Sequence, residues 1–334
     1  MIDLLACAAV APLSASRFRL RWTGLVLLGA LVMLGLPAVT DATCTPSLAP
    51  LDSPTALILS GGGAKGAFEA GVATTLIERG VPIRLVAGSS AGALNATMIA
   101  DGRVERLAAL WRTITREQVY QLRAPVLFGG LLPGWLTLLV LDRAGSLFDP
   151  QPLRDLITAS VDLPRIRASP IRLLVTTSDL AAREKRLFDN QTVSVEALMA
   201  AAAVPGAFPP VMVAGSLLAD GGLSGRAPVL EGLEAGVPVR RAMVVMSYAA
   251  DERGAPPTTM RRTIEEAFEM GMIHQIRRDT ELARLKYPAV DVQLLTPSVP
   301  LLLRPLDFDP DVIARVIAQG KADATACLDA ITRR

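Results

Sequence analysis

The turn Gly88-Ser89-Ser90-Ala91-Gly92 stands between an apolar run, "IRLVAG", and a run of small residues, "AGALNATMIADG". A Gly-x-Ser-x-Gly spacing at a strand-to-helix turn is the pattern of an exposed nucleophile, and it selects Ser90 over Ser89. So tight a turn needs neighbours without side chains two positions away on each side, which Gly88 and Gly92 supply. The Ser90 hydroxyl then lies near a helix N-terminus, whose partial positive charge favours the negative charge of an acyl-transfer intermediate. A serine hydroxyl also needs a base. His274 is the chain's one histidine and falls inside a helical pattern; a Ser-His-Asp triad would have to bring it to Ser90. Asp220 in "LLADGGL" is the other candidate, a carboxylate closing a strand and followed by two glycines that let the backbone approach closely. Partial desolvation would raise its pKa and allow it to take the proton directly.

A second glycine-rich element, "GGGAKG" at 61–66, follows an apolar strand and opens a helix. Gly61, Gly63 and Gly66 fit the dinucleotide spacing Gly-x-Gly-x-x-Gly, which expects an acidic residue about 20 positions on, closing the second strand. The second strand closes instead on "GSSAG". A phosphate loop would require Ser or Thr after Lys65, where Gly66 stands. Beside a serine turn, the loop fits an oxyanion hole better, with the Gly62 and Gly63 N–H groups as donors. Lys65 either orients the loop and adds to its field or is a solvated first-turn residue.

The elements that must carry these residues follow from hydrophobic periodicity. "ALILS", "IRLVAG", "IRLLVTTSDL", "SLLADGG", "RAMVVMSY" and "VDVQLLTP" read as strands. "AFEAGVATTLIERG", "VERLAALWRTI", "SVEALMAAAAV", the long stretch from "TTMRRTIEEAF" to "ELARLK", and the C-terminal "DPDVIARVIAQGKADATACLDAITRR" read as helices. Alternating strands and helices imply an α/β fold: a mostly parallel central sheet flanked by helices in three layers. The glycine- and proline-broken apolar stretch 126–141 reads either as a cover over a lipid site or as short core helices.

Four motifs in order, "LILSGGGAKGAFEAGV", "VAGSSAGALNA", "AAAVPGAFPPV" and "ADGGL", resemble the patatin-like phospholipase family over roughly residues 55–230. The resemblance implies an α/β hydrolase that uses a Ser-Asp dyad and cleaves acyl esters of phospholipids and other lipids at a membrane surface, without a metal or other cofactor. Carried over by motif, Ser90 is the nucleophile, Asp220 the base, and Gly61, Gly62, Gly63 and Lys65 belong to the oxyanion loop. The family often continues Asp-Gly-Gly with an Asn two residues before a proline. Here Arg226 occupies that place ahead of Pro228, which bears on the packing behind Asp220 and on headgroup preference. The alternative from another class is a membrane-tethered lipid-binding protein with a weak or inactive hydrolase site.

Composition sets outer bounds. Of 334 residues, 51% are apolar, enough for a large core, and the near-neutral net charge of +2 argues against a nucleic-acid partner, which requires a concentrated basic face. The clustered basic residues of 183–186 are interleaved with acid and read as a solvated face. Arg17, Arg19 and Arg21 precede the uncharged run "WTGLVLLGALVMLGLPAV" at 22–39. Residues 1–45 therefore read as an export signal, cleaved after Ala38 or Ala42, or as an uncleaved anchor, giving an exported, periplasmic or membrane-associated protein. Residues 46–54 read as a Pro/Ser linker and 55–334 as the catalytic domain. Three cysteines are too few for a zinc site; Cys44 and Cys327, near the two ends of the mature chain, either bridge or remain free thiols. Nothing in the sequence sets an oligomeric state.

Overall fold

The structure, a computed structural model, describes residues 44, 47–129, 136, 142–250 and 256–332. Its centre is an eight-stranded sheet in the order β10-β9-β1-β2-β5-β8-β7, with β6 also paired to β5. The strands are β1 (Thr55–Leu59), β2 (Ile83–Gly88), β5 (Arg172–Asp179), β6 (Glu184–Asp189), β7 (Val211–Val213), β8 (Ser216–Asp220), β9 (Arg241–Val245) and β10 (Asp291–Leu295). A separate short ribbon pairs β3 (Gln121–Leu122) with β4 (Phe148–Asp149). Strands β10, β9, β1, β2 and β5 run parallel; β6, β8 and β7 are antiparallel to their neighbours. The mostly parallel sheet expected from the sequence is thus present.

Strand β1, "TALIL", is buried along its whole length, as a central parallel strand covered on both faces must be. Because side chains alternate across a strand, Leu57 and Leu59 enter one apolar layer while Ala56 and Ile58 enter the other. The first layer is built by helices α1 (Gly66–Glu78), α2 (Ala91–Ala100), α3 (Val104–Thr113), α4 (Gln151–Ser160), α5 (Val195–Ala201) and the C-terminal α7 (Pro310–Thr332). The second contains Val229 of the short helix Val229–Glu234 and Ile276 and Ala283 of the long α6 (Met260–Lys286). Helix α1 is buried from Gly66 to Leu76, which explains its nearly all-apolar sequence.

The stretch expected to be a linker is fastened to the sheet edge. Leu48 and Ala49 N–H donate to Asp291 Oδ2 at 3.0 and 3.1 Å, and the Ser47 hydroxyl bonds the same oxygen. The buried Arg241 guanidinium donates to the carbonyl oxygen of Pro50 at 2.7 Å and to that of Ala49. Cys44 forms a disulfide with Cys327 of α7, with Cα atoms 5.7 Å apart. The apolar run 22–39 lies outside the described residues, as does most of 126–141, of which 126–129 belong to the helix Ala124–Gly129. Among the described residues no helix is long and apolar enough to cross a membrane. The exported or membrane-associated location expected from the N-terminal segment is corrected accordingly: the described structure carries no such element.

Candidate active site

Ser90 sits between β2 and α2 with φ 55° and ψ −134°, a conformation that costs a non-glycine residue about 1–3 kcal/mol. Its neighbours hold it there. A Cβ on Gly88 would stand 2.2 Å from the Gly92 carbonyl oxygen, and one on Gly92 would stand 2.7 Å from that of Leu59. Gly88 is flanked in register by Leu59 of β1 and Val175 of β5, and its carbonyl accepts the Thr176 hydroxyl at 3.1 Å. The Ser90 carbonyl accepts the Ala93 N–H at 2.9 Å, starting α2. The turn thus lies beyond the carboxyl ends of parallel strands, where open α/β sheets bind ligands.

Asp220 ends β8 opposite Thr177 of β5, two positions beyond the residue that flanks Gly88. Its backbone is pinned on both sides: its N–H donates to the Ala203 carbonyl at 3.0 Å, and its carbonyl accepts the Ser178 hydroxyl at 2.9 Å. Oδ1 accepts the Gly222 N–H at 2.7 Å and lies 3.9 Å from Arg226 Nη1. Oδ2 is buried and has no hydrogen-bond partner among the described residues. Burial pushes the Asp220 carboxyl above its ordinary value, opposed first by the Arg226 charge, then by the Gly222 N–H, and least by the Ser90 hydroxyl. Ser90 is therefore a close neighbour of this carboxylate, though it makes no hydrogen bond of ordinary geometry to Oδ2.

The glycine loop is anchored by a residue that the sequence reading passed over. Glu69 of α1 is fully buried and accepts the Gly61 N–H at 2.6 Å, the Ser60 hydroxyl at 3.3 Å and Asn95 Nδ2 at 3.0 Å. Asn95 also donates to the Gly66 carbonyl at 3.0 Å and accepts Trp111 Nε1 at 2.9 Å, tying the loop to α2 and α3. Burial lifts Glu69 from 4.5 to about 7 against these hydrogen bonds and the Arg226 charge. The signal available in the sequence was one acid inside the apolar run "AFEAGV".

The amides on either side of the expected donors are committed: Gly61 N–H to Glu69, and Ala64 N–H to the Pro305 carbonyl at 2.8 Å. Gly62 and Gly63 line a cavity of about 360 Å³ together with Ser90. Lys65 does not line it; its ammonium lies 3.5 Å from Glu269 and 4.0 Å from the centre of the Tyr248 ring. His274, an exposed residue of α6, borders a second cavity with Glu266 and Arg277 and does not line the one that holds Ser90. The first cavity runs from Ser90 between Leu94 and Met98 of α2, Leu107 and Leu110 of α3, and Leu153 and Ile157 of α4. Exposed Val204, Ile264, Phe268 and Leu306 also line it. Among the described residues no group of three or more His, Cys, Asp or Glu side chains could hold a metal ion.

Comparison with known proteins identifies the family of the chain. A family model described as patatin-like phospholipase matches residues 57–233, from β1 past Asp220. An uncharacterized NTE family protein of Mycobacterium bovis is 30% identical over 168 residues, and counterparts from two Mycobacterium tuberculosis strains match equally. The match covers 50% of this chain and 42% of each relative, so the chain spans less than half the length of those proteins. Among solved structures, VipD from Legionella pneumophila aligns over 86% of this chain and 68% of its own, with 17% identity and a TM-score of 0.48. Full-length ExoU of the Pseudomonas aeruginosa type III secretion system aligns over 76% and 56%, with 18% identity and a TM-score of 0.35. With its model covering more than half of the residues, and the glycine loop, serine turn and Asp-Gly-Gly strand end all inside the matched span, the chain belongs to the patatin-like phospholipase family.

Proposed function

We propose that the chain is a serine acyl hydrolase that cleaves lipid esters with Ser90 as nucleophile and Asp220 as base. The observation that carries this reading is the juxtaposition of a strained, cavity-lining serine with a buried carboxylate that has one partnerless oxygen. In the reaction, Ser90 Oγ bonds to the substrate carbonyl carbon while its proton passes to Asp220 Oδ2. The carbonyl electron pair moves to oxygen, where the Gly62 and Gly63 amides and the N-terminus of α2 stabilise it. Collapse of this intermediate breaks the ester C–O bond, and the leaving alcohol takes the proton from Asp220. Water, deprotonated by the same carboxylate, then releases the acid and restores Ser90.

The cavity supports a long acyl chain as the group bound, because beyond the reacting centre its walls are almost wholly apolar. Its exposed apolar rim fits a substrate drawn from an aggregated lipid phase such as a membrane surface. The test is hydrolysis of phospholipids, lysophospholipids and short-chain esters, with fluorophosphonate labelling in parallel. Ser90→Ala and Asp220→Asn should each lower kcat by at least about a thousandfold, with unchanged circular dichroism, while His274→Ala stays active. Folded protein that neither labels at Ser90 nor hydrolyses any ester would instead be a lipid-binding protein.

A further inference from the structure

Resting on that reading, we infer that Arg226 is a positioning residue of the reaction, the counter-ion that lets the buried Asp220 carry a negative charge beside Ser90. Arg226 and Asp220 are 4% and 3% exposed, so neither charge is screened by water. An isolated carboxylate in such a setting takes up a proton and can no longer accept one from serine. The guanidinium is held where it can prevent this. The Arg226 backbone N–H donates to Gln275 Oε1 of α6 at 3.2 Å, and the side chain turns inward between two glycines. Nη1 lies 2.7 Å from the place a Gly222 Cβ would occupy, and Nη2 3.5 Å from that of Gly62. One end of the fork therefore faces the base at 3.9 Å while the other faces the glycine loop that lines the cavity with Ser90. Its Nε is buried with no hydrogen-bond partner among the described residues, a desolvation cost that the nearby Asp220 charge offsets.

The other ionisable groups around Arg226 are the Tyr248 hydroxyl, 3.6 Å from where a Gly62 Cβ would stand, Glu265 and Glu269, which line the same cavity, and two lysines. Lys185, beside Gly225, pairs with Glu231, and Lys65 pairs with Glu269. Glu69 on α1 also feels the Arg226 charge, so a pH effect of removing that charge could arise at either carboxylate. The experiment separates them.

The acid limb of kcat/KM against pH is measured for the unmodified chain, Arg226→Met and Arg226→Lys, each with and without Glu69→Gln. An opposite charge within 4–6 Å lowers a carboxylate by about one to three pH units. Arg226→Met should therefore move the acid limb up by about one unit or more, a roughly tenfold or greater loss on that limb. Activity should return towards the plateau at alkaline pH, and Arg226→Lys should keep the limb near its original place. The shift should persist with Glu69→Gln. An unmoved limb in Arg226→Met, an equal shift in Arg226→Lys, or a shift abolished by Glu69→Gln would each overturn the inference. Should Arg226→Met fail to fold, a carbon-13 titration of Asp220 in the unmodified chain decides: a carboxylate at pH 7 supports the inference, and a neutral acid refutes it. Asp220→Asn retaining ester hydrolysis would break the dyad reading itself, whereas an inactive Asp220→Asn with an unmoved Arg226→Met limb would break only this one.

Discussion

Replacing Glu69 by Gln should make the protein more stable at pH 8 and slightly less stable at pH 4. The reason lies in what burial does to this carboxyl. Raised from 4.5 to about 7, it is protonated in the folded state over a range where the unfolded chain has already ionised. The folded state then binds more protons, so stability is greatest below 4.5 and falls as pH rises to about 7. The interval corresponds to about 3 kcal/mol at about 1.4 kcal/mol per pH unit. Gln does not titrate, and its carbonyl can still accept the Gly61 N–H. Its amide would face Asn95 Nδ2, which now donates to Glu69 at 3.0 Å, and losing that bond costs about 1 kcal/mol. The net expectation is a gain of about 2 kcal/mol at pH 8 and a loss of about 1 kcal/mol at pH 4. Urea unfolding of both proteins at the two pH values measures the difference. A difference that stays constant with pH, or a variant less stable at pH 8, would refute the assignment of a near-neutral titration to Glu69.

Two further outcomes follow from the packing. Leu110→Trp should narrow the apolar cavity and lower kcat/KM for long-chain esters more than for short-chain ones, read from a chain-length series. Replacing Cys44 and Cys327 together by Ser should destabilise the chain by about 2–5 kcal/mol in urea, with the Ser90 site left able to react with a fluorophosphonate.

Steric demands made by near neighbours in sequence were the most legible features. β2 spans Ile83–Gly88, the run read as a strand, because a strand covered on both faces is apolar along most of its length; only Arg84, near its start, is charged and exposed. The serine turn was legible because the clash relieved at Gly88 and Gly92 is written in the glycines themselves. Strand β6, "EKRLFD", begins in the basic stretch 183–186 that reads as a solvated face: neither of its sides is fully buried, so no apolar alternation marks it, and pairing with β5 makes it a strand. The fastening of 47–54 was equally hidden, since it depends on Arg241 and Asp291, neighbours only across the β9–β10 register. Within the site, the glycines and Ser90 could be named from spacing, whereas the preference for Asp220 over His274 as the base came from the family resemblance. The commitment of the Gly61 amide to Glu69, and the placement of His274 outside the cavity that holds Ser90, depend on how helices α1 and α6 lie on the sheet.

The bond between Cys44 and Cys327 closes 283 positions of sequence into a ring that contains every described strand and both candidate catalytic side chains. A protease that clips one surface loop would open that ring without releasing a piece. The nicked molecule would migrate as a single species on a gel until a reducing agent is added, and then as two. Because the two pieces remain joined by the disulfide, such a clipped form should retain its sheet.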